Sequence, residues 1–141
     1  MLSTPHLLVG ATVGSLSANP LLAFLAGIAS HFIMDLIPHW EWKPSNPMYV
    51  FLAFFDFFFG AALLFVLTIN SSDPFLVWAG AMGGVFPDIL QAPYYLLHRK
   101  VKVLEPLRSF HGSIQRYKVP IYAGVLTQIV TLIITSWFLT H

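Results

Sequence analysis

The chain has 141 residues, 57% of them hydrophobic and 9% charged, with a mean hydropathy of +0.74 and a net charge of +1. A soluble domain carries about 25% charged residues, so this composition excludes a water-covered globule and points to one integral membrane domain over residues 1–141. With no cysteine, disulfides and thiolate metal sites are excluded too, and neither a soluble domain nor a nucleic-acid reader is visible.

Five membrane helices are expected, in an all-α polytopic bundle. Pro5 to about Ser17 is apolar but reaches only ~20 Å, short for a ~30 Å hydrocarbon core. Gly10 and Gly14 in it form a small-xxx-small pair that permits close helix approach. The N-terminus has no basic region and no cleavage site, so Met1 reads as retained. Asn19-Pro20 pairs a cap with a first-turn proline and starts a second helix. Pro38 lacks an N–H and should end that helix near Ile37. Asn46-Pro47 starts a third helix, to about Ile69, and Asp73-Pro74 a fourth, towards His98. Gly83-Gly84, Pro87 and Pro93 are expected to interrupt the fourth. Arg99 to Lys118 is a basic connection with room for a short interfacial helix, and Val119 to about Thr140 is the last span.

All seven Lys and Arg lie in two places, Lys43 and the Arg99–Lys118 connection. The positive-inside rule puts both in the cytoplasm, with the N-terminus inside and the C-terminus outside. Trp40, Trp42, Tyr49, Tyr117 and Tyr122 then fall at the inner interface, Trp78 and Trp137 nearer the outer one. A faint repeat links the second and fourth helices: Ala26-Gly27 precedes Asp35 by the spacing at which Ala79-Gly80 precedes Asp88.

The ionisable residues gather towards the inner end. His31 and Asp35 are four apart and share a helix face, with His39 just past the helix end. An ionisable residue at a bilayer centre costs about 2.5–3.5 kcal/mol on insertion scales, so such a pair has a reason to be there. Imidazole beside carboxylate is what a divalent metal asks for; a buried hydrogen bond locking two helices is the other reading. Asp56, flanked by phenylalanines, is either a helix-tying partner or a ligand or general base. Asp88 follows Pro87, which frees a carbonyl near Gly83; it marks a cavity-lining break or an ordinary kink. His6 follows Thr4-Pro5 near the start. His111 lies between Arg108 and Arg116, which serve as positive-inside determinants, contact lipid head groups, or clamp a phosphate.

Thr-Pro-His6, Ser-His31-x-x-x-Asp35-x-x-Pro-His39, Pro87-Asp88 and His111-Gly-Ser together resemble the membrane-bound metal-dependent hydrolases. These are small prokaryotic inner-membrane proteins distantly likened to zinc-dependent phospholipase C. The resemblance spans residues 4 to 114. It departs from the pattern in Phe-His-Gly-Ser-Ile-Gln, which has one histidine where two are usual, with Gln115 near the second place. Pro87-Asp88-Ile-Leu also lacks a second acid. The resemblance implies that His6, His31, Asp35, Asp88 and His111 are metal ligands.

On this reading one or two divalent ions are expected, Zn foremost and Mn or Fe compatible. Asp56 or His39 takes a proton from water, Arg108 and Arg116 bind phosphate, and the substrate is a lipid or membrane-adjacent phosphoester in the cytoplasmic membrane of a prokaryote. Two other classes remain open: a non-enzymatic divalent-metal carrier, and a structural membrane protein whose His and Asp residues tie helices.

Overall fold

The computed structural model describes residues 1–40, 47–96, 101–115 and 119–141, apart from the side chains of Pro47 and Tyr95. The architecture is all-helical: α1 (Ser3–Ser15), α2 (Pro20–Leu36), α3 (Pro47–Thr68), α4 (Pro74–Leu96), α5 (Glu105–Ile114) and α6 (Ile121–Thr140), with a 3-10 turn at Lys102–Leu104 leading into α5. Of these, α3, α4 and α6 are long and apolar enough to cross a membrane; α2 is apolar but shorter.

The helix starts follow local chemistry. Asn19 is extended and its side chain accepts a hydrogen bond from the Leu22 N–H at 3.0 Å, with Pro20 in the first turn. Asp73 does the same for Leu76 at 3.3 Å. α2 stops at Leu36, where Ile37 turns extended ahead of Pro38. α4 corrects the expected interruption: it runs unbroken through Pro87 and Pro93. A proline in a helix interior costs about 3 kcal/mol in water; in a packed membrane helix, neighbouring groups can take up the freed backbone positions.

The short α1 is the centre of the bundle. Leu7, Leu8 and Ala11 are fully buried and meet Leu64 of α3 and Val77, Ala81 and Val85 of α4 in one core cluster. α1 and α4 run antiparallel and touch backbone to backbone. A Cβ on Gly14 would lie 2.5 Å from the Leu76 carbonyl oxygen and 2.8 Å from Gly80 Cα. α2 and α4 run side by side in the same direction, with Gly27 against Gly80 and Gly84. The outer faces of α3 and α6 are apolar and exposed, with Phe51, Phe55 and Phe58 on one, and Leu126, Ile133 and Ile134 on the other. Such faces suit lipid and not water.

Candidate metal centre

Four helices bring their ionisable residues to one end of this bundle. α1 supplies His6 from its first turns, α2 supplies His31 and Asp35 from its last, α4 supplies Asp88, and α5 supplies His111. Asp35 is the hub. Its Oδ1 lies 3.2 Å from His6 Nε2 and 3.0 Å from the Met1 amine, and its Oδ2 lies 3.3 Å from His31 Nε2 and 2.5 Å from His111 Nε2. Gln115 donates to the same Oδ2 at 2.9 Å. Asp88 Oδ1 stands farther off, 3.8 Å from His31 Nε2 and 3.9 Å from His111 Nε2.

Two overlapping groups of potential ligand atoms result: His6, His31 and Asp88, and His31, Asp35 and His111. Within each, the atoms lie within 4.8 Å of one another. The His6 and His31 rings stack with centroids 4.1 Å apart. His31 Nδ1 is 2.7 Å from the Gly84 carbonyl oxygen. A carbonyl only accepts, so Nδ1 carries a proton, and in the neutral ring Nε2 is then the nitrogen with a lone pair for a ligand. His6 is different. It is buried, and neither ring nitrogen makes an aligned hydrogen bond, although Nε2 stands near Asp35. A buried polar group without a partner costs about 1–3 kcal/mol, which is reason to look for a ligand that satisfies it.

The expected proton-handling and phosphate-binding residues fall in different places. His39 is buried beside the cluster, its Nδ1 held by the Ile37 carbonyl at 2.7 Å and its Nε2 2.7 Å from the Met1 amine. Asp56 is committed elsewhere. Its carboxylate accepts from the Ser3 and Thr4 N–H groups at 2.6 and 3.2 Å and from Thr4 Oγ1 at 2.7 Å. It is the cap that α1 does not supply for itself, since Leu2 at that position has no side-chain acceptor. Of the two readings open for Asp56, these contacts display the helix-tying one. Arg108 packs on its near neighbours. It lies over the Tyr94 ring at 4.6 Å and 3.5 Å from Glu105, which also accepts from the Tyr94 hydroxyl. Arg108, expected to bind phosphate, is exposed and makes these contacts within its own neighbourhood. Arg116 lies outside the described residues, as do Lys43, Trp42 and His98.

Two partners went unread in the sequence. Gln91 is buried and its amide nitrogen contacts His111 Nδ1 and the Pro87 carbonyl. Its spacing of three from Asp88 puts both on one face of α4, a signal that was available. Gln128 on α6 accepts from the Leu2 N–H at 3.1 Å and donates to the Trp40 carbonyl at 3.1 Å, fastening the chain start and the segment after α2 to α6. A lone amide in an apolar helix was its only trace.

No family model matches the chain, and no solved structure matches it. Alpha-L-iduronidase of Drosophila melanogaster is 32% identical to it over 88 residues. Those residues are 61% of this chain and 13% of that protein, so the chain spans only a small part of the curated relative it matches.

Proposed function

We propose that this chain is a divalent-metal-dependent membrane hydrolase that acts on a phosphoester at the end of the bundle where His6, His31, Asp35, Asp88 and His111 meet. The observation that carries the reading is His6, a buried imidazole with no hydrogen bond, stacked on a His31 whose Nε2 is directed to the same point. Donor spacing supports it. Two ligands each about 2.0–2.1 Å from a tetrahedral zinc stand roughly 3.3 Å apart. His6 to Asp35 is 3.2 Å, His31 to Asp35 is 3.3 Å, and His31 to His111 is 3.2 Å. His111 sits closer to Asp35, at 2.5 Å, as a proton-sharing pair does; a metal ion takes the place of such a proton.

Three imidazoles and two carboxylates without thiolate favour Zn, with Mn or Fe compatible. Two groupings that share His31 leave room for one ion or two. A bound ion of this kind supplies Lewis acidity to a phosphoryl oxygen and makes a water acidic near neutral pH. His39, beside the cluster with its Nδ1 fixed, is the chain's own candidate to hold a proton. We place this end on the cytoplasmic side of a prokaryotic inner membrane, from the distribution of Lys and Arg.

A second reading has its own support. Asp35 is already satisfied by the Met1 amine, His111 and Gln115, as a helix-tying network would have it. A carrier is less favoured: no acid or histidine lies along the opposite half of α1, α2 or α6 to continue a path, His141 at the very end apart. The test is phosphoester turnover by the detergent-purified protein, assayed on phosphatidic acid and phosphatidylglycerol. The hydrolase reading expects release that stops with chelator, returns with Zn or Mn, and is lost in Asp88→Asn. Release indifferent to chelator, or none with metal bound, contradicts it.

A further inference from the structure

A cavity of about 460 Å³ opens beside the metal cluster, between the first half of α3 and the second half of α4. α3 packs on α1 and barely touches α4, so the two helices leave a gap. Ala53 and Phe57 of α3 and Ile89 and Ala92 of α4 wall it, with the capping carboxylate Asp56 between the first two, and Asp88, His111 and Gln115 also line it. The Asp88 side chain is 37% exposed and accepts no hydrogen bond among the described residues. With a divalent ion held on it, that carboxylate would offer a cation to an anionic head group at the end of the groove.

Location decides what the groove itself takes. Both flanking helices are long and apolar enough to cross a membrane; in a bilayer, the medium at the groove mouth would be hydrocarbon. The α3 wall runs from Tyr49 to Phe58, about 14 Å at 1.5 Å per residue. That is about half of a ~30 Å hydrocarbon core, the depth of one leaflet. Taking a methylene as roughly the size of a water, about 30 Å³, 460 Å³ holds on the order of fifteen of them: one acyl chain, not two.

We propose that the α3/α4 groove takes one acyl chain of a phospholipid sideways from the adjoining leaflet and sets its phosphoester head against Asp88 and His111. The head-group half of this rests on the hydrolase reading above; the chain-binding half does not. A second acyl chain stays in the bilayer, because the groove is open along its side.

The experiment uses the full-length protein in nanodiscs containing a phosphatidylglycerol with a diazirine half-way along one acyl chain. After photolysis, cross-links are mapped by peptide mass spectrometry. The groove predicts enrichment at Ala53, Phe57 and Ala92 over the lipid-facing residues Ile129 and Ile133 of α6, which serve as internal controls. Ala92→Trp fills the groove and should reduce cross-linking at Ala53 several-fold while leaving α6 labelling and metal content unchanged. Cross-links spread evenly over α3, α4 and α6 in the wild type overturn the proposal, and that map decides even where Ala92→Trp does not fold. His31→Ala separates the two readings. Groove cross-links that persist in His31→Ala once its metal and turnover are lost uphold the groove apart from the hydrolase; a wild type with groove cross-links but neither metal nor turnover sinks the hydrolase alone, and metal and turnover without groove enrichment sink the groove alone.

Discussion

Asp35 and Asp56 are both carboxylates inside apolar helices, and they are stabilised in different ways. Asp35 faces imidazoles and an amine, whereas Asp56 takes the free N–H groups at the start of α1. Removing a cap costs about 0.5–2 kcal/mol, and Asp56 also holds the Thr4 hydroxyl. Asp56→Ala should therefore lower the unfolding midpoint in detergent by the equivalent of about 1–2 kcal/mol, with metal per folded molecule unchanged. Loss of metal at undiminished stability would instead return Asp56 to the chemistry. Gln91 acts through His111. Second partners of metal-bound imidazoles typically matter by about 10–100-fold in affinity, so Gln91→Leu should weaken zinc binding on that order in a chelator competition. The His31–Asp35 pair was legible because helix period alone sets it. The role of Asp56 was not, because its partners lie 52 and 53 residues away and only the packing of α1 on α3 brings them together.

Among the elements, α1 departs furthest from what its length implies. A thirteen-residue helix reads as a segment too short to span; packed, it forms the post on which α2, α3, α4 and α6 rest. Gly10 and Gly14 gave the hint, and the structure names their partner, Gly80. A Cβ on Gly80 would lie 2.6 Å from Gly14 Cα, and backbone cannot yield as a side chain can. Overpacking of this kind costs about 1–3 kcal/mol. Gly80→Ala should destabilise the bundle by that much in thermal unfolding, and weaken metal binding as His6 moves off His31; an unchanged midpoint would refute the close approach. α4 shows what proline spacing does not reveal. Pro87 suggests a break, but the helix continues and the neighbouring Gly84 carbonyl accepts from His31. That hydrogen bond comes from another helix, so it lies beyond any reading of α4 alone.

At the scale of the whole molecule, polarity is one-sided. His6, His31, Asp35, His39, Asp88 and His111 share one end, while the α3–α4 turn at the other end carries serines and Asp73. This was readable from the sequence because alternating helices return every second loop to the same side. The chain has no cysteine, so single cysteines at Ser109 and Ser72, both exposed, report sidedness without background. In inverted and right-side-out vesicles, the proposed orientation predicts labelling of Ser109→Cys from the cytoplasmic face and of Ser72→Cys from the opposite one; the reverse pattern overturns it. What the sequence could not supply is the distance between these side chains on different helices, which depends on how closely α1, α2 and α4 pack. That packing is what a bound metal would report. Elemental analysis of detergent-purified protein, wild type beside His6→Ala and His31→Ala, tests the account most directly. A stoichiometric divalent metal in the wild type, lost in both folded variants, is the predicted result; no metal in the wild type, or full content in both variants, would contradict it.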